Sequence, residues 1–271
     1  MTIVQTLSNL DAKADLHEDG SVSTSGLPGF GGDSSAVQHL LKDVKKLFST
    51  DSAFAALKDN GTIVTWGYPE TGGDSSTVQL LLTNVSAIAA TGSAFAALKT
   101  DGTVVTWGDP DWGGNSNTVQ HLLTNVKNLF STYGAFTAIK TDGTIVNWGH
   151  PDYGGDSSAV AHLLTDITDI SANCYAFSAL KADGTSITWG DPEAGGDSSA
   201  VQHLLKDISA IISTHAAFAA LKADRTIVAW GLSKHGGDSS AVQEKLINVE
   251  TIVANIEGFT AIRSDGVHIS W

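Results

Sequence analysis

An all-β fold of seven repeated blades, a seven-bladed β-propeller, is what three features of this 271-residue sequence predict. They are a strict 41-residue period, an Asp-Gly or Asn-Gly turn inside most units, and strands that are apolar on both faces. Glycine pairs begin at Gly31, Gly72, Gly113, Gly154, Gly195 and Gly236. Tryptophan keeps step at Trp66, Trp107, Trp148, Trp189, Trp230 and Trp271, and phenylalanine at Phe54, Phe95, Phe136, Phe177, Phe218 and Phe259. All five prolines, Pro28, Pro69, Pro110, Pro151 and Pro192, share one position of the unit.

Residues 52–92 show what a unit contains. The runs 52–59 and 62–67 are rich in aromatic and β-branched residues and meet at Asn60-Gly61, as others meet at Asp101-Gly102 and Asp142-Gly143, so they form an antiparallel hairpin. A third strand opens at Asn84 and alternates through Val85 and Ile88. Between the Trp strand and this one, Ser76 and Gln79 have capping-box spacing, and Val78, Leu81 and Leu82 share a helical face, which predicts a short helix. Strands such as Phe54–Leu57, apolar on both sides, need cover from neighbouring copies of the same sheet.

Six full units run 11–51, 52–92, 93–133, 134–174, 175–215 and 216–256. Residues 257–271 supply two further strands, and residues 1–10 match 42–51. The chain is 16 residues short of seven units, the length of one Gly-Gly loop and helix. The expectation is therefore one domain, 1–271, whose closing blade joins 257–271 to 1–10 and leaves no open edge. Two departures stand out. Lys13, Asp15 and Ser25 replace Phe, Ala and Trp in the first unit, which predicts a weak seam there. Arg225 replaces the turn glycine, which predicts a hairpin that is distorted or uses another turn type.

Composition narrows the function. With 29 acidic and 15 basic side chains the net charge is −14, which argues against nucleic acid as a partner. No window approaches the roughly 18 apolar residues of a membrane helix, and the opening ten residues do not read as a secretion signal. The expected location is cytoplasmic, or exported without a classical signal. Cys174 stands alone, so no intrachain disulfide forms.

The run Phe-Ala-Ala-Leu-Lys-x-Asp-Gly-Thr-x-Val-x-Trp-Gly at 95–108 resembles the repeat of the regulator of chromosome condensation family. In its short unit the chain is similar to the bacterial β-lactamase inhibitory protein type II branch of that superfamily. The resemblance covers nearly the whole chain. It implies a seven-bladed propeller whose members mostly bind proteins across one face. The Gly-Gly-Asp-Ser-Ser segment departs from the inhibitor branch, and the basic features of the chromatin-binding branch are missing.

Positions that change in every copy are the candidates for recognition. The first variable loop follows Trp-Gly and carries Phe30, Tyr68, Asp109, Asp111, Trp112, His150, Asp152, Tyr153 and His235. The second follows the Val strand and carries Asp51, Gly92, Tyr133, Cys174, His215 and Ile256, with Tyr175 beside them. In an antiparallel blade both loops lie on one face, opposite the uniform hairpins. Aromatic groups among carboxylates there fit a protein partner with a basic patch. Other regular features have plainer readings. The aspartates Asp33, Asp74, Asp156, Asp197 and Asp238 suit capping, and His39, His121, His162 and His203 sit too far apart for one metal. The Trp series suits core packing. No nucleophile, base and orienting acid can be placed together, and no phosphate loop appears, so neither catalysis nor a metal or cofactor is expected. The alternatives are a multivalent carbohydrate-binding lectin, which would repeat its binding residues, and a structural assembly component.

Overall fold

Short connections decide the pairing of strands. In the computed structural model, which describes residues 2–271, the strand Val85–Ala90 turns through Thr91–Ser93 into Ala94–Lys99, and a tight turn at Gly102 leads into Val104–Gly108. These three make one antiparallel sheet, with Ala90 opposite Phe95 and Phe95 opposite Trp107. The same unit recurs, giving seven three-stranded sheets, each from consecutive strands, that begin at Ile3, Val44, Val85, Val126, Ile167, Ile208 and Val249. The chain forms two compact units. One runs up to Lys140 and includes Trp148–His150, and the other is Thr141–Asn147 with Pro151–Trp271.

The first and last sheets correct the expected closure by the termini. Ile3–Ser8 pairs with Ala12–His17, and Phe259–Arg263 takes Val249–Ala254 as its partner, so no sheet is stitched from both chain ends. The Val strand is the first strand of its own sheet, not the last of the preceding one. The three-residue turn into the Phe strand is too short to reach another sheet, whereas the Tyr68–Asn84 segment is long enough to cross.

Between sheets the packing is directional. Ala53, Ala55, Leu57 and Ile63 of the second sheet form one core with Val85, Ile88, Phe95, Ala97 and Trp107 of the third, sealed by Leu82 from the crossing segment. The Phe–Trp pairs of the second, third, sixth and seventh sheets therefore face the sheet before them. In the first sheet the corresponding positions are polar. Lys13 pairs with Asp15 at 2.8 Å, and His17 Nε2 lies 2.8 Å from Ser23 Oγ. At the other end of the chain, Thr260 and Ser270 share a hydrogen bond at 2.9 Å on the face that earlier sheets turn to their successor.

The expected short helix is absent among the described residues. Each crossing segment holds two single turns instead, as at Pro110–Trp112 and Gln120–Leu122, of which nearly all are 3₁₀. The capping-box reading fails for a specific reason. Ser75, not Ser76, bonds Gln79 (2.8 Å), and the Gln79 amide donates to the Ile63 carbonyl (3.1 Å), so the glutamine straps the outer strand. Leu81 stays exposed and Leu82 alone is buried, which breaks the expected helical face.

Arg225 does not distort its hairpin. It takes φ 64, near the 76 to 78 of the glycines at this position, and keeps the same two bonds, its N–H to Lys222 (2.9 Å) and its carbonyl from Val249 (3.0 Å). A left-handed residue with a Cβ still carries a penalty. Arg225→Gly is expected to stabilise the protein by about 0.5–1 kcal/mol, net of glycine's greater freedom when unfolded, and to raise Tm by about 2 °C in a thermal melt.

Candidate functional site

A repeated clamp fixes the variable loops to one another. The Thr91 hydroxyl accepts from the Ala94 N–H (2.9 Å), closing the turn into the Phe strand, and donates to the Trp112 carbonyl (3.0 Å). Thr50 holds Thr71, Asn173 holds Ala194 and Thr214 holds His235 in the same way. Both variable loops of a repeat thus meet at one end of its sheet. Adjacent tips are linked as well, since the Asp51 N–H donates to Gly92 (2.9 Å) and the Gly92 N–H to Tyr133 (2.7 Å). Backbone and Thr or Asn side chains hold the frame, which leaves the tip side chains to differ.

The first compact unit gathers three of the expected site residues. Trp112 meets Tyr133 edge-on, with ring centroids 5.2 Å apart and planes at 87°, and lies 5.9 Å from His150. The Tyr133 hydroxyl donates to the Asp51 carboxylate. Its ring lies over Gly92, where a Cβ would come within 2.7 Å, so the glycine in this tip makes room for the tyrosine. Asp109 accepts from the Asp111 N–H (2.9 Å) and so caps the turn that presents Trp112, while Asp111 projects from the surface.

The second unit gathers four more. Tyr153 stacks on Tyr175 at 5.6 Å, Tyr175 meets His215 edge-on at 5.3 Å, and His215 lies 5.2 Å from His235. His215 is fixed at both nitrogens, with Cys174 Sγ 3.2 Å from Nδ1 and the Tyr175 hydroxyl 3.2 Å from Nε2. His235 Nδ1 donates to the Ile256 carbonyl at 2.8 Å. Burial raises the Cys174 thiol above its ordinary range. Burial, with Cys174, Tyr153 and Asp191 nearby, does the same for the Tyr175 hydroxyl, so both keep their protons at neutral pH. Asp152 is exposed.

Two expected residues stand apart from these clusters. Phe30 packs against the core between the first two sheets, its carbonyl held by Asn9 (2.7 Å), and Tyr68 leans toward Glu70 with 3.4 Å between the hydroxyl and the carboxylate. Sequence reasoning passed over the Thr/Asn clamp, whose 41-residue recurrence at Thr50, Thr91, Thr132, Asn173 and Thr214 was its available signal. The contact of Cys174 with His215 left no such trace.

The regular polar series proves to be framework. Asp74 Oδ1 accepts from the Ser76 N–H (2.8 Å), and that bond, with the Ser76 hydroxyl, holds its carboxyl below the usual range. Each Trp of the 41-residue series donates its indole N–H to the first glycine of a pair 35 residues earlier, as Trp107 does to Gly72 at 3.0 Å, and all but the partly buried Trp271 are buried. Among the described residues no three His, Cys, Asp or Glu side chains gather as metal ligands. A groove of about 860 Å³ runs between Pro69–Leu81 and Val104–Gln120, and its polar groups satisfy one another through Thr106, Ser116 and Gln120.

This architecture has counterparts among solved structures. Prp20p from Saccharomyces cerevisiae matches with a TM-score of 0.52 and 15% identity, covering 86% of this chain and 72% of that one. Yeast RCC1 (Prp20), bound to Kap60, matches at 0.51 and 15% identity, over 99% and 69%. The fold is RCC1-like. Human WBSCR16 gives 0.53 at 14% identity, over 96% and 86%. No family model matches the sequence, and no curated protein matches it. With seven three-stranded blades in regular repeats, the chain belongs to the seven-bladed β-propeller class.

Proposed function

We propose that this RCC1-like propeller is a non-catalytic module that binds a protein partner through its variable loop tips, in an inhibitor- or adaptor-like role. One observation carries the reading. An invariant frame of clamps presents tip side chains that differ from blade to blade, and those tips bring seven aromatic and imidazole rings into two clusters. Aromatic residues of this kind dominate interface energetics. Asp51, Asp109, Asp111, Asp152, Asp191 and Glu193 surround them, which favours a basic patch on the partner. Prp20p, described with its binding to Gsp1p and histones, and RCC1, bound to Kap60, lend support as propellers of the same fold that bind proteins. The protonated Cys174 thiol argues against a nucleophile at the Cys174–His215 contact.

The test begins by cross-linking the native protein to its partner in the source cells and identifying that partner. Trp112→Ala with Tyr153→Ala is expected to weaken its Kd about 30-fold or more, equivalent to over about 2 kcal/mol, with the circular dichroism spectrum unchanged. An unaltered Kd in the folded double variant refutes the loop-tip reading.

A further inference from the structure

Beside the second ring cluster lies a small cavity of about 140 Å³, bounded by Tyr175, Asp191, Glu193, His215, Lys234 and His235. At roughly 30 Å³ per water it has the room of about four or five waters, the size of a compact headgroup rather than a whole metabolite. Its walls are of two kinds. Tyr175, His215 and His235 set three rings at 87° and 49° to one another, and two carboxylates stand beside them. Asp191 is already oriented, since one of its oxygens accepts from the Glu193 N–H at 2.9 Å, which leaves the second oxygen to take an outside donor. Lys234 is the lone lysine or arginine of the lining, in a chain of net charge −14.

We propose that this cavity receives the guanidinium of an arginine side chain from the partner. The source of that arginine rests on the protein-binding reading above. Rings beside carboxylates suit an organic cation, because the ring face attracts positive charge and the carboxylates take its protons. The planar fork of arginine serves both at once, laying its face on a ring while its N–H groups bridge to Asp191 and Glu193, whereas a lysine ammonium offers a point charge.

The pocket is tested on the full chain without any partner, by titrating the capped peptide Gly-Arg-Gly while following the Tyr175, His215 and His235 ring signals by NMR. Peptides with lysine or norleucine in place of arginine are the comparisons. The arginine peptide is expected to bind about fivefold or more tighter than the lysine peptide, and the norleucine peptide not to bind. Asp191→Asn with Glu193→Gln should weaken arginine binding about tenfold at an unchanged thermal midpoint, because the asparagine oxygen still accepts the turn N–H, and Lys234→Gln should strengthen it about threefold. Equal binding of arginine and norleucine peptides, or no loss in the carboxamide variant, overturns the pocket, and equal or tighter lysine binding overturns the guanidinium. Should Trp112 and Tyr153 prove irrelevant to the native partner while the peptide still binds as described, the loop-tip reading falls and the arginine pocket stands.

Discussion

Phe95→Ala is expected to destabilise the protein by about 3–5 kcal/mol, read as a fall in the midpoint of urea unfolding. Phe95 is completely buried, stacks on Trp107 with centroids 5.1 Å apart, and presses against Gly72, where a Cβ would come within 2.6 Å of its ring. Its removal opens a cavity that these neighbours are poorly placed to fill. Trp107 is tethered by its indole bond to the Gly72 carbonyl, and the glycine brings no side chain. Phe95→Leu, which keeps most of the volume, should cost less than about 1.5 kcal/mol. The first sheet explains why the loss is tied to packing between sheets. There Lys13 and Ser25 occupy the Phe and Trp positions and the strands still pair, so strand pairing within a sheet does not depend on that layer. A Phe95→Ala loss under 1 kcal/mol contradicts the account of the core.

Gly114→Ala is expected to cost about 3 kcal/mol, although a change from glycine to alanine in ordinary backbone stabilises by roughly 0.4–1 kcal/mol. The reason is steric. A Cβ at this position would stand 2.3 Å from the carbonyl oxygen of Gly108 and 2.5 Å from its carbon, both backbone atoms at the end of the Trp strand. Gly108 has little room to retreat, for it adopts φ 104 and lies close to Ser93 and Ala94 in turn. Gly29→Ala supplies the control. Its Cβ would meet nothing within 4 Å, so the thermal midpoint should hold or rise slightly. Equal effects at the two positions would show that the close approach of Gly114 to Gly108 is not what requires a glycine there.

The second glycine of each pair is therefore required by the approach of two backbones, and the first by the ring it faces. Both demands come from contacts between segments that a period reveals without explaining. Much of the candidate site was legible for a similar reason. Variable positions stood out against a regular frame, and seven of the sixteen residues singled out do enter ring clusters. Phe30 looked the same in sequence as Tyr153, yet it turns into the core while Tyr153 stacks on Tyr175, a choice made by the neighbours each one finds.

By itself the sequence determined the period, the three strands of each blade, the glycine turns and the buried Phe–Trp layer, because alternation, turn chemistry and apolar content act over a few residues. Only the tertiary structure decided how strands are shared out among sheets, that the crossing segments turn as 3₁₀ rather than helix, and which loop rings meet. A repeating sequence offers each strand chemically equivalent partners, and the choice among them follows from connection length and packing, which are properties of the whole chain.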